Sequence, residues 1–251
     1  MRVAVITGGG SGIGAAVAKR LALEAGMKVV LAGRREDLVK QVAAAITSAG
    51  GAASFVKCDV TKSADVDALA RAAGAADVLV NNAGIAKSMP LAKMDEAFWN
   101  EHLGVNLTGT FLCTKAFLPS MMERGWGRVI NVASVAGKTG WPYTSAYCAS
   151  KAGVLGFTRA IALECARKGV TVNAVCPGWV ETDRAERAVS NIESKTKMSN
   201  DSARATLEQQ SPQNRMMTAE EVAGLIAYLA SDAAAGITAQ AINLDGGTLQ
   251  S

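Results

Sequence analysis

The chain has 251 residues, 49% of them hydrophobic, enough to fill one large core. Its 26 basic and 22 acidic residues leave a net charge of only +4 with no run of like charge, which argues against nucleic acid as a partner. Cys58, Cys113, Cys148, Cys165 and Cys176 form no CxxC pair, and the single histidine cannot build an HExxH zinc site, so neither a disulfide framework nor a metal centre is expected.

The chain opens MRVAVITGGG, where a strand-like run already meets glycine at Gly8. This leaves no room for the charged, apolar and cleavage regions of a signal sequence, and no later apolar stretch is long enough to cross a bilayer. A cytoplasmic protein with no membrane partner is expected. Short β-branched runs then recur: VAVIT (3–7), KVVLA (28–32), ASFVK (53–57), DVLVN (77–81), RVINVAS (128–134), VTVNAV (170–175) and AINLD (241–245). They lack strict alternation, as strands covered on both faces do. Between them lie helix-like segments such as AAVAKRLALEA, EDLVKQVAAAITSAG, GVLGFTRAIALECARKG and AEEVAGLIAYLAS. The order predicts an α/β fold: a doubly wound parallel sheet of Rossmann type, helices on both faces, in a single domain over 1–251. The regular alternation breaks at 179–217, a polar segment after the sixth strand, where an insertion is placed to act as a substrate lid.

Three stretches carry chemistry. Thr7–Gly14 reads TGGGSGIG between a strand and a helix, a turn whose glycines let backbone N–H groups approach a pyrophosphate at a helix N-terminus. Ser145–Lys151 reads SAYCASK, which on a helix puts Tyr147 and Lys151 on one face a turn apart. His102, in FWNEHLGVN, is expected at a helix surface or boundary, so acid/base chemistry falls to another residue.

The spacing of Gly8, Gly12 and Gly14 as TGxxxGxG, with NNAG at Asn81–Gly84, Asn106 in VNLTGTF, Ser134 ending RVINVAS, YCASK at 147–151 and NAVCPGWVET at 173–182, resembles the short-chain dehydrogenase/reductase family in its single-domain form. The motifs run in the family's order along nearly the whole chain; one departure is a shorter stretch before the fourth strand. The resemblance implies an oxidoreductase that interconverts a ketone and a secondary alcohol, with Asn106, Ser134, Tyr147 and Lys151 as the catalytic set and no metal. Tyr147 would be the general acid/base, assisted by the Lys151 ammonium, which favours phenolate; Ser134 would hold the reacting oxygen, Lys151 also the ribose, and Asn106 a water leading to solvent. It also implies a cofactor site at Gly8, Ser11, Gly12, Ile13, Gly14, Asp59, Val60, Asn82, Ala83, Gly84, Tyr147, Lys151, Pro177, Gly178, Val180 and Thr182.

At the end of the second strand, KVVLAGRRED offers Gly33 where an NAD enzyme commonly has a carboxylate, and Arg34 follows, suited to bidentate phosphate contact. NADP(H) is therefore expected, with Arg34 the main 2′-phosphate ligand, Arg35 a helper, and NAD(H) the alternative cofactor. The stretch from GRVINVAS to NAVCPGWVET is most similar to 3-oxoacyl-thioester reductases and aromatic polyketide ketoreductases, which implies a small-molecule carbonyl substrate carried on CoA or acyl-carrier protein. A dehydrogenase of a small cyclic, aromatic or secondary alcohol is the alternative, and a non-catalytic nucleotide-binding scaffold a remote one. The family also implies a homotetramer. In the lid, Arg184, Arg187, Lys195, Lys197, Arg204 and Arg215 are offset by Glu181, Asp183, Glu186, Glu193, Asp201 and Glu208, the pattern of a solvated helix.

Overall fold

The structure, a computed structural model, describes residues 1–250. Its strands are β1 (Val3–Thr7), β2 (Lys28–Gly33), β3 (Ala52–Lys57), β4 (Val78–Asn81), β5 (Gly127–Val132), β6 (Val170–Pro177) and β7 (Ala241–Leu244). All pairings are parallel, and the seven strands lie in the order β3-β2-β1-β4-β5-β6-β7. Strand order reverses between β1 and β4, and ligands of such sheets bind beyond the strand ends at that reversal.

The helices are α1 (Gly12–Leu23), α2 (Glu36–Ser48), α3 (Ser63–Ala73), α4 (Glu96–Leu103), α5 (Gly109–Arg124), α6 (Ser145–Cys165), α7 (Asp183–Thr196), α8 (Asn200–Glu208) and α9 (Ala219–Leu229). Neighbours along β1 explain the unbroken apolar runs. Ala4 and Ile6 pack under α1, α2 and α9, whereas Val5 packs under α3, α5 and α6, so both faces are dry. No helix among the described residues is long and apolar enough to cross a membrane.

The close approach of α1 to β1 depends on glycine. Gly8 has φ +66°, and a Cβ on Gly14 would collide with the Gly8 carbonyl and come within 2.6 Å of Asn82 Nδ2. Only a residue without a side chain brings the start of α1 so near the ends of β1 and β4.

One local expectation, that for His102, needs correction, and two elements gain definite bounds. The helix carrying Tyr147 starts at Ser145, well before GVLGFTRAIALECARKG, which places the pair in its first two turns. His102 is wholly buried, not at a surface or boundary. Its Nε2 accepts the Lys87 N–H at 3.1 Å and its Nδ1 lies 2.8 Å from the Phe98 carbonyl, so the ring proton belongs on Nδ1 and the ring ties α4 to the loop after β4. The 179–217 segment is largely helical, as α7 and α8, and is stitched at its ends by a parallel bridge between Val180 and Met217.

Candidate active site

A cavity of about 1180 Å³ runs along the carboxyl ends of the strands, roofed by α7. Of the residues singled out in the sequence, Gly8, Ser11, Gly12, Ile13, Arg34, Arg35, Asp59, Val60, Asn82, Ala83, Gly84, Ser134, Tyr147, Lys151, Pro177, Gly178, Val180 and Thr182 line it. Gly14 and Asn106 stand behind the wall.

At one end, the turn before α1 presents its backbone to the cavity. Ser11 is the N-cap, yet its side chain accepts no hydrogen bond from the helix, so the first N–H groups of α1 have no side-chain cap. The turn is held from behind. Asn82 Nδ2 donates to the carbonyls of Thr7 and Gly8 at 3.0 and 3.2 Å, and Thr7 Oγ1 accepts the N–H groups of Asn82 and Ala83, both at 3.0 Å. Asn82 thus spends its amide on the turn. Arg34 and Arg35 flank the same end beside Gly33. Asp59 Oδ1 accepts from the Thr61 N–H and hydroxyl at 3.1 and 2.8 Å. Partial burial works against ionisation of Asp59, but these bonds and the nearby Arg34 charge outweigh it and hold the carboxyl below its usual range. The side-chain-free cradle, the uncapped helix end and the adjacent arginines fit a dinucleotide with a phosphorylated ribose.

At the other end, Ser134, Tyr147 and Lys151 meet. Ser134 Oγ accepts the Ala136 N–H at 3.1 Å, capping the 3-10 turn Val135–Gly137, and its own O–H is left to donate into the cavity. Lys151 is buried, and its Nζ donates to the Val132 carbonyl at 2.7 Å and lies 5.9 Å from the Tyr147 ring centre. Burial first, and then the charge of Arg184, pull the Lys151 ammonium from its ordinary value down to about 7. Asn106 lies in a π-turn, Gly104–Thr108, between α4 and α5. Its Oδ1 accepts the Ile85 N–H at 2.8 Å, and its Nδ2 donates to the Ile85 carbonyl at 3.0 Å and to Ser150 Oγ at 2.9 Å. Both amide hydrogens are therefore committed to fixing the loop after β4 against α6.

Sequence reasoning missed two participants. Thr7, quoted in the turn motif without a role of its own, is the strut of the glycine turn. Arg184, grouped with the solvated lid charges, reaches Tyr147 Oη with Nη1 at 3.5 Å and the Gly84 carbonyl with Nη2 at 3.3 Å. The available signal was its place two residues after Thr182, whose methyl carbon stands 3.1 Å from where a Cβ on Gly12 would lie.

A glycine turn at the reversal of a parallel sheet, facing a buried tyrosine–lysine pair, defines a dinucleotide-dependent oxidoreductase. The sequence pattern of the short chain dehydrogenases matches residues 2–193. A 3-oxoacyl-[acyl-carrier-protein] reductase of Synechocystis is 43% identical over 98% of this chain and 96% of its own length. A cis-4-hydroxycyclohexanecarboxylate dehydrogenase of Sinomonas cyclohexanicum is 42% identical with the same coverage. A crystal structure of a variant actinorhodin polyketide ketoreductase with NADPH superposes with a TM-score of 0.94 at 40% identity, covering 98% of this chain and 97% of that one. The chain belongs to the short-chain dehydrogenase family and is an oxidoreductase.

The buried lysine has a consequence for stability. Its folded value of about 7 lies below the unfolded value of about 10.4. Between those two values the unfolded chain binds more protons, so stability rises with pH across the window and falls as pH drops through 7. Replacing Lys151→Met removes this dependence. In the ligand-free protein, the variant's stability relative to wild type should be greater at pH 6.5 than at pH 9.5, read by urea denaturation; a pH-independent difference contradicts the burial argument.

Proposed function

We propose that this enzyme reduces the ketone of a 3-oxoacyl thioester or polyketide-like substrate with NADP(H), the reverse oxidation being the same chemistry. The reading rests on one observation: a single cavity carries Gly33 and Arg34 at one end and Ser134, Tyr147 and Lys151 at the other. When bound, the nicotinamide supplies the hydride. Gly8, Ser11, Gly12 and Ile13 would hold the pyrophosphate, Arg34 with Arg35 the 2′-phosphate, and Thr182 with Pro177, Gly178 and Val180 the nicotinamide side. Ser134 donates its O–H to the carbonyl oxygen and Tyr147 delivers the proton as that oxygen becomes an alcohol. Lys151, a group that titrates near neutrality, favours by its charge the phenolate left on Tyr147, and Asn106 positions Ser150 and the Ile85 loop around it.

Within this reading the chain is one domain, and 179–217 is its lid. The lid has its own apolar cluster of Ala185, Val189, Ala203, Leu207 and Met216, separate from the main cores, which supports movement as a unit. Five free cysteines, four of them buried, support a reducing, cytoplasmic setting. Exposed Phe111 on α5 and Leu163 on α6 support self-association, read here as a homotetramer. The cyclohexanecarboxylate dehydrogenase of nearly equal identity keeps a cyclic alcohol as the second reading.

Two substitutions test the two ends. Tyr147→Phe should lower kcat at least about a hundredfold while NADPH binding, read by fluorescence, is kept; near-normal turnover removes Tyr147 from the mechanism. Arg34→Ala should weaken NADPH binding by roughly ten- to a hundredfold and leave NADH binding nearly unchanged; equal effects on the two would take the 2′-phosphate away from Arg34.

A further inference from the structure

Five of the six lid cations, balanced by acids in the sequence, fall into two groups in space. Arg204 is ion-paired with Glu186 and lies 3.9 Å from Glu208, and Arg215 forks onto Glu221 at 2.7 and 2.8 Å. Arg184, Arg187 and Lys195 border the cavity, as Arg215 does, but none of these three has a carboxylate within 4.0 Å among the described residues. Asp183 also borders it, in the first turn of α7, where the helix dipole favours an acid.

Arg184 is the cation of this group that reaches the chemistry. Its guanidinium is a rigid planar fork of N–H donors. Only two contacts engage it, both long: 3.5 Å to Tyr147 Oη and 3.3 Å to the Gly84 carbonyl. Its other donors have no protein acceptor, and they lie beside the phenol that must touch the reacting oxygen. A ligand that satisfies them needs a second acceptor oxygen a few bonds from its ketone. An isolated ketone has none; a 3-oxoacyl group has one on C1, in a thioester or a free acid.

We propose that Arg184 binds the C1 acyl oxygen of a 3-oxoacyl substrate and is the residue by which the enzyme selects 1,3-dicarbonyl compounds over isolated ketones. This rests on the 3-oxoacyl reading above. It assigns the selecting contact to the lid, so docking of α7 and recognition of the acyl group are one event. Arg184 is exposed, so water satisfies its donors in the free protein, and selection comes from the charge-assisted contact that only a substrate with the second oxygen can form.

The test compares kcat/KM for the 3-oxobutanoyl thioester of N-acetylcysteamine, which carries no phosphate, with that for cyclohexanone, both with NADPH. Wild type, Arg184→Met and Arg184→Lys are measured, with NADPH fluorescence reporting that each variant is folded. The thioester-to-cyclohexanone ratio should fall tenfold or more in Arg184→Met, chiefly through KM for the thioester, and by an intermediate factor in Arg184→Lys, which keeps the charge and loses the fork. If wild type prefers the thioester and the ratio is unchanged in both variants, or if both substrates lose equally with a shifted pH profile, Arg184 acts on Tyr147 and the assignment falls alone. A wild type that reduces cyclohexanone and not the thioester overturns the substrate reading and this assignment with it.

Discussion

The buried ammonium of Lys151 is the constraint around which the rest of the site is arranged. A charge removed from water must be hydrogen-bonded or neutralised, and here the Val132 carbonyl, at the end of β5, accepts from Nζ at 2.7 Å. That bond fixes the first turns of α6 over the strand ends and thereby fixes Tyr147, one turn earlier on the same helix. The next residue back, Ser150, donates to the Tyr147 carbonyl at 2.7 Å and accepts from Asn106. Asn106 in turn spends its remaining amide contacts on Ile85. Lys151 therefore ties α6 to β5, and its neighbour Ser150 ties α6 through Asn106 to the π-turn and the loop after β4.

The second dependency is the reversal of strand order between β1 and β4. The turn after β1 and the loop after β4 diverge there and leave a crevice, and Thr7 and Asn82 tie its two sides together. The glycine turn and the tyrosine–lysine pair belong to distant stretches of chain, but both lie at carboxyl ends of parallel strands, so the topology alone brings them to one cavity. Relatives of nearly equal identity carry names for acyl-carrier-protein-linked and cyclohexane substrates, and the proposed lid at 179–217 roofs the cavity without forming its floor.

Much of this was legible in the sequence, for identifiable reasons. Seven β-branched runs mark the strands because burial on both faces forbids alternation, and the glycine turn and SAYCASK are local, so spacing alone reveals them. The sorting of the charges in 179–217 was not legible: a tally of six bases and six acids hides that Glu221, outside the segment, takes Arg215, and that Glu186 takes Arg204, while Arg184 has no carboxylate partner and reaches Tyr147 and Gly84. His102 was misplaced for the same kind of reason. Its ring accepts from Lys87, fifteen residues earlier and in a loop without periodicity, so nothing local signals its burial. Asn106 and Asn82 carry recognisable motifs, but only the fold reveals that the Asn82 amide is spent on the carbonyls of Thr7 and Gly8 and the Asn106 amide on Ile85 and Ser150.

The most direct test of the whole account is to follow the hydride. With NADPH deuterated on the transferred C4 position and a 3-oxobutanoyl thioester as substrate, mass spectrometry and NMR of the product should find a single deuterium on C3, the former carbonyl carbon. A hydroxy product carrying no deuterium from the cofactor, or no hydroxy product at all, would contradict the assignment of this cavity to ketone reduction.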